Sequence, residues 1–352
     1  MISPFFDDYI SFIIKSCRLR DYCNAAASPP ALRTSMRYNE PANPLHTEPP
    51  DMQLRPHASR KPAHLPGTGE KTEESSMIGK SHATSCGTIR YWINANSASG
   101  NPPLVLLPGL TADHRLFEKQ IEHFEGTYPL LVWDAPGHAS SWPFDLTFTL
   151  ADKAQWLHEI LLREGFGKPV IIGQSMGGYV AQAFAQLFPG EMSGFISIDS
   201  APLRREYMTA LEIWALKKVE PVYRWYPWKS LLKTGANGVA TSEYGRNLMR
   251  DMMMTYDGDQ QRYARLTGHG YKMLAEAVEA DLPYAVTCPA LLICGEKDRA
   301  GSCIRYSREW HKRTGFPLEW IPGAGHNSNT DEPDMINQLI EEFVARLKAT
   351  QQ

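Results

Sequence analysis

The sequence predicts an α/β protein, a mostly parallel sheet covered by helices on both faces and carrying a helical insertion late in the chain. Two observations lead there. From about Cys86 onward, apolar strand-like runs take turns with amphipathic helical patterns, as expected of a sheet buried on both sides. One of those runs, "VIIGQSMGGYV" (170–180), then passes from strand to helix across a serine fenced by glycines. Glycine weakens both kinds of element, so Gly173, Gly177 and Gly178 in so short a stretch need a cause.

The elements follow in order. "GTIRYWI" (87–93) alternates as a strand does, and "PPLVLLPG" (102–109) reads as a buried strand ending in a turn. "PLLVWD" (129–134) is the next strand. The stretch 149–165 is a helix with Leu150, Ala154, Leu157, Ile160 and Leu161 on one face. Strand 169–173, helix 177–189 and strand 194–199 follow, then, after a long interruption, strand 290–295, a helix near 303–313, strand 317–323 and a final helix near 333–347. The interruption, 203–283, has helical composition and many aromatic residues. Placed at the carboxyl edge of a sheet it would cover the site as a cap, with Trp214, Tyr223 and Trp228 expected to line an apolar pocket.

The N-terminal segment reads differently. Ile10–Ile14 forms a short apolar patch behind Asp7 and Asp8, which is not the basic-then-apolar order of a secretory signal. Residues 24–76 run through prolines, serines and charges with no period, and are predicted to be disordered. "GTGEKTEE" (67–74) lacks the glycine spacing of a phosphate loop, so no nucleotide site is expected. The organisation predicted is a disordered tail over 1–85, core over 86–202, cap over 203–283 and core again over 284–352.

Composition excludes several classes. The 352 residues are 43% apolar and 21% charged, with a net charge of −3, ordinary for a globular chain and no footprint for nucleic acid or an anionic membrane. No apolar stretch approaches the roughly 18 residues that span a bilayer. Cysteines at 17, 23, 86, 288, 294 and 303 form no C-x-x-C pair and read as reduced thiols of a cytoplasmic protein. The histidines include no HExxH or paired-ligand spacing, so no metal is expected.

In such sheets function gathers at the carboxyl ends of the strands, and Ser175 follows one of them. A strand that turns at once into a helix brings the two backbones close, so positions flanking the turn must be nearly free of side chain. Ser175 then stands on a sharp elbow at a helix N-terminus, where the N–H of Met176 faces a developing oxyanion. A serine hydroxyl needs a base, and the base an orienting acid. Asp298, closing "LLICGEKD", and His326, in "PGAGHNSNTDEP", both lie just past strand ends in the order serine, acid, histidine.

From about residue 86 to 347 the chain resembles the α/β-hydrolase superfamily, in particular its capped, cofactor-independent serine esterase and lipase-like members. "GQSMGG" resembles the nucleophile elbow, "GEKD" the acid-bearing turn, "GAGH" the histidine loop and "DAPGHASS" (134–141) the turn after the preceding strand. "LLPGLTADHRLF" (106–117) resembles the oxyanion loop, with Pro108-Gly109 where His-Gly is usual. The resemblance implies a triad of Ser175, Asp298 and His326, a second oxyanion N–H on Leu110, and no cofactor. It disfavours aspartate-nucleophile members, because position 175 is serine. Some members take the acid from the position of Asp199, which here also suits a capping or hinge role. Asp113 is expected to cap a helix, His138 to brace its turn, Asp134 to tie loops together, and Gln174 to hydrogen-bond across the site. The function expected is hydrolysis of a small to medium apolar ester through an acyl-enzyme. The alternatives are a carbon–carbon bond hydrolase or lactonase on the same triad and, from another class, a slow-turnover ligand receptor.

Overall fold

The computed structural model describes residues 77–94 and 100–351. The expected disorder of 1–76 lies outside the described residues. Strand structure is present before the boundary read at Cys86: Met77–Ala83 forms strand β1, paired antiparallel with β2 (Thr88–Asn94) from Met77↔Asn94 to Ala83↔Thr88. Its sequence, MIGKSHA, has little apolar alternation and is held by backbone pairing at the sheet edge, which is why hydropathy did not reveal it.

Six further strands complete the sheet: β3 (Leu104–Leu107), β4 (Leu130–Asp134), β5 (Val170–Gln174), β6 (Gly194–Ile198), β7 (Ala290–Gly295) and β8 (Leu318–Ile321). Their order is β1-β2-β4-β3-β5-β6-β7-β8. β2 is antiparallel to both neighbours, and all other pairings are parallel. Every residue of β3 to β7 is buried, so those strands read as continuous apolar runs. Their side chains divide by parity: Val105, Leu107 and Ile171 face one layer, and Leu104, Leu106, Val170 and Ile172 the other.

Helix α1 (Glu118–Phe124) covers the second layer, while α2 (Leu150–Glu164) and α3 (Met176–Leu187) cover the first. α2 starts at a capping box, Thr149 with Asp152, and buries Leu150, Ala154, Leu157, Ile160 and Leu161 at about 1.5–3 kcal/mol for each large side chain. It also buries Lys153, at 1% exposure. Burial pushes that ammonium's pKa down to about 7.

The chain between β6 and β7 is helical: α4 (Ala210–Leu216), α5 (Glu220–Trp225), α6 (Trp228–Val239), α7 (Glu243–Met254) and α8 (Gln260–Ala280). After β7 come α9 (Cys303–Thr314), the short α10 (Ser328–Asp331) and α11 (Pro333–Gln351). α9 joins α2 and α3 on one face, through Tyr306 and Trp310. α11 joins α1 on the other, through Ile336, Ile340 and Val344. Among the described residues no helix is long and apolar enough to cross a membrane. The strand order reverses at the β3/β5 pair, where Leu107 lies beside Gly173. A crevice opens at such a point in an open parallel sheet, and the candidate site lies there.

Candidate active site

β5 ends at Gln174 and α3 begins at Met176, so Ser175 makes the whole turn, with φ 50° and ψ −115°. A non-glycine residue at positive φ is strained, and its neighbours explain how the strain is held. A Cβ on Gly177 would lie 1.9 Å from the Leu107 carbonyl oxygen, and one on Gly173 would lie 2.4 Å from the Gly178 nitrogen. The helix can follow the strand this closely only where both positions lack a side chain. The Ser175 N–H donates to the Ile198 carbonyl at 2.9 Å, which fixes the elbow to β6.

The three residues read as nucleophile, base and acid come together. Ser175 Oγ lies 2.8 Å from His326 Nε2, and His326 Nδ1 lies 2.9 Å from Asp298 Oδ2. A carboxylate accepts only, so Nδ1 carries a proton and Nε2 is free to accept from the serine hydroxyl. The other Asp298 oxygen accepts the Ala300 N–H at 2.7 Å. The Asp298 side chain is fully buried and that of His326 is 11% exposed. Burial alone would pull the His326 pKa down, but Asp298, with a smaller push from Asp199, lifts it above the ordinary value.

Asp199, the rival acid, takes another position. Its carboxylate accepts from the Gly295 N–H at 2.7 Å, the Ser328 N–H at 2.9 Å and the Ser328 hydroxyl at 2.5 Å. It thus ties the end of β6 to the roots of the two loops that carry Asp298 and His326. Burial, then repulsion from Asp298, raise its pKa well above the usual carboxylate range.

The loop after β3 crosses above Ser175. A Cβ on Gly109 would meet the Gln174 side-chain oxygen at 2.3 Å and Ser175 Cβ at 3.1 Å, so the loop touches the elbow with bare backbone. Leu110 and Met176 both line the cavity beside Ser175. Neither N–H donates a hydrogen bond to another described residue. Thr111, at φ 66°, then turns the loop away, and Asp113 caps the following turn by accepting from the Arg115 N–H.

The supporting side chains are specific. Gln174 donates from Nε2 to the His326 carbonyl at 2.8 Å and to Asn327 at 3.2 Å, bracing the histidine loop from the elbow. Asp134 accepts from the His114 N–H and ring at 2.9 and 2.8 Å and from the Ser140 N–H at 2.9 Å. His138 is buried against the Pro136 carbonyl. Burial, then Lys153, bring its pKa down to about 3, which leaves it neutral. Asp331 was not singled out in the sequence, although "NTDEP" contains it. It accepts from the backbone N–H groups of Thr241, Ser242 and Gly325, anchoring the histidine loop to the start of α7.

A cavity of about 330 Å³ opens on Ser175 and His326. Its walls come from α3, α9 and the helices of the insertion, including Leu216, Tyr223, Val239, Tyr271 and Leu274. Of the four residues expected to touch substrate, Tyr223 lines it. The other three are corrected. Trp214 is 53% exposed, on the outer side of a short amphipathic helix. Trp228 donates its indole N–H to Asp257 and packs its ring on Tyr263. Gln174 is turned toward the histidine loop. Aromatic density marks a helical cluster but does not say which face a ring takes.

Comparison with known proteins agrees with this architecture. The sequence model of the alpha/beta hydrolase family matches residues 104–339. A 2-(acetamidomethylene)succinate hydrolase of Mesorhizobium japonicum is 21% identical over 72% of this chain and 92% of its own. A 2-hydroxy-6-oxononadienedioate/2-hydroxy-6-oxononatrienedioate hydrolase of a Pseudomonas species is 23% identical over 74% of this chain and 94% of its own. Among solved structures, a thermophilic esterase of Thermogutta terrifontis superposes with a TM-score of 0.61 at 21% identity, over 77% of this chain and 98% of its own.

Proposed function

The chain belongs to the alpha/beta hydrolase family, and from that premise we propose that it is a serine hydrolase cleaving a carboxylic ester, or a related acyl bond, of a small to medium apolar substrate. The observation that carries the reading is the continuous relay from Ser175 Oγ through the His326 imidazole to Asp298, at 2.8 and 2.9 Å. His326 takes the serine proton at Nε2 as Oγ attacks the carbonyl carbon. The imidazolium so formed is stabilised by Asp298, and the developing oxyanion by the N–H groups of Leu110 and Met176. His326 then protonates the leaving alkoxide. Water enters, His326 removes its proton, and hydroxide attack on the acyl-enzyme frees the acid and restores the serine.

Residues 203–283 act in this reading as a cap that seats the acyl group. The cavity volume lies at the small end of the roughly 300–1,000 Å³ range of ligand pockets, which supports short or medium acyl chains. The relatives, by name, act on small molecules, which supports a small-molecule substrate.

The test is a p-nitrophenyl ester series of increasing acyl length, with Ser175→Ala as the blank. Sustained, Ser175-dependent turnover is expected. A burst followed by negligible turnover would replace the reading with a ligand receptor. Turnover of lactones or cleavable diketones with no ester turnover would move the chemistry to the lactonase or carbon–carbon reading.

A further inference from the structure

Directly behind the acid, two thiols converge on the same carboxylate. Cys294 is the last but one residue of β7, and by strand parity it points with Leu292 toward the face covered by α9. Cys303 is the first residue of α9. Both are free and buried. The sulfurs of Cys294 and Cys303 and a carboxylate oxygen of Asp298 all lie within 4.8 Å of one another. Cys303 also lines the cavity, so a small solute reaches the group from the side that admits substrate. The absence of a histidine ligand motif does not bear on this cluster, because its members meet only when β7 and α9 pack.

We propose that Cys294, Cys303 and Asp298 form a binding site for a thiophilic divalent cation such as zinc or cadmium, and that filling it disables hydrolysis. Two sulfurs and one oxygen suit such cations, which take thiolate ligands at about 2.3 Å and carboxylate at about 2.0–2.2 Å and accept water in a fourth position. Sulfur ligands on a tetrahedral ion with bonds of that length stand about 3.8 Å apart, so a cluster held within 4.8 Å needs to contract by at most about 1 Å. Each thiol gives its proton to solvent as the sulfur–metal bond forms. The charge of Asp298, which faces His326 at 2.9 Å, favours a cation here. The consequence for the relay is electrostatic. A carboxylate that ligates a divalent ion no longer offers His326 a full negative charge, so the imidazolium of the transition state loses its counter-charge.

The site's inhibitory effect rests on the role given to Asp298 above, whereas metal binding does not, so the two are read separately. The full-length protein is titrated with cadmium alone, following thiolate-to-metal charge-transfer absorption, bound metal after equilibrium dialysis, and ester turnover. Absorption rising with one metal bound at this site and turnover falling on the order of 10²-fold, reversed by a chelator, is the expected result. Cys294→Ala, which lies outside the cavity, should keep its turnover, bind one metal fewer and lose the inhibition. Cys303→Ala should likewise bind one metal fewer. Equal binding and equal inhibition in wild type and Cys294→Ala would overturn the site. Metal bound through both thiols with undiminished turnover would uphold the thiol site and overturn the inhibition, and the acid role of Asp298 falls with it only if Asp298→Asn also keeps full turnover.

Discussion

Asp298→Asn removes one charge and leaves the shape of the side chain. The structure dictates which way the amide would turn. One Asp298 oxygen accepts the Ala300 N–H at 2.7 Å, and the other faces His326 Nδ1 at 2.9 Å. To keep the Ala300 bond, the asparagine must present its NH₂ to the imidazole. Nδ1 then has to accept, the ring proton moves to Nε2, and the serine hydroxyl loses its base. Flipping the amide restores the tautomer but leaves the Ala300 N–H unpaired, at about 1–3 kcal/mol. That is about 5- to 150-fold in the population of productive enzyme. Loss of the charged hydrogen bond to the imidazolium adds roughly another factor of 5–10. The product is about 25- to 1,500-fold, and the same substitution in a serine protease, at about 10⁴ in kcat, marks the upper end.

The assay is kcat/KM on a short p-nitrophenyl ester across pH, beside a melting curve. Turnover should fall by the stated factor with little change in Tm. Asp298 is what lifts the His326 pKa, so its removal lowers that pKa, and the acid limb of the residual activity should move to lower pH. Ser175→Ala and His326→Ala should be near-inactive, and adding Asp298→Asn to either should cost little more, because in the proposed mechanism the three act as a unit. A loss of less than ten-fold in Asp298→Asn, or an acid limb that stays in place, would refute the reasoning.

Other outcomes follow from the cavity and the packing. Tyr223→Ala should raise KM for medium-chain esters while Trp214→Ala leaves it unchanged, and soluble short or medium esters should outrun emulsified long-chain lipid; the reverse order on either comparison would relocate the acyl pocket. A chain beginning at Met77, where β1 starts, should keep its Tm and kcat/KM, and a large drop in either would show that the preceding residues pack on the domain. Lys153 has a folded pKa of about 7 against about 10.4 unfolded. Its cost to stability is therefore complete below pH 7 and fades as pH rises toward the unfolded value. Lys153→Met should raise Tm, more at pH 7 than at pH 10, and an equal gain at both would contradict the charge argument.

Much of the fold was legible because its signals are local. The strands β3 to β7 are buried on both faces and announce themselves as apolar runs, and the elbow announces itself because strand and helix backbones cannot approach with side chains between them. β1 was missed because its place depends on edge pairing and not on apolar side chains. Trp214 and Trp228 were misplaced for a related reason. A short helix offers a ring either to the cavity or to a neighbouring helix, and only tertiary packing chooses. Asp331 carried no signal at all, since its acceptors are satisfied by backbone N–H groups of the insertion and of the histidine loop, remote from each other in sequence.

The choice between the two aspartates was the least legible, and the structure supplies its physics. Both follow strand ends, and both are buried close together, where two like charges cannot be held cheaply. Asp298 meets the imidazole, which in the proposed mechanism becomes cationic during turnover. Asp199 meets two backbone N–H groups and a hydroxyl, and its raised pKa means that it gives up its charge readily. A neutral Asp199 spares Asp298 the repulsion while still holding Gly295 and Ser328, the roots of the two loops. Asp199→Asn resembles that neutral form, keeps an oxygen for one of the N–H donors, and leaves the His326–Asp298 bond in place. It should therefore lose less than about ten-fold in kcat/KM, the equivalent of about 1.4 kcal/mol, with its larger effect on Tm because a loop anchor is weakened. If Asp199→Asn instead proves crippling at unchanged Tm while Asp298→Asn is mild, the acid is Asp199 and the two roles exchange.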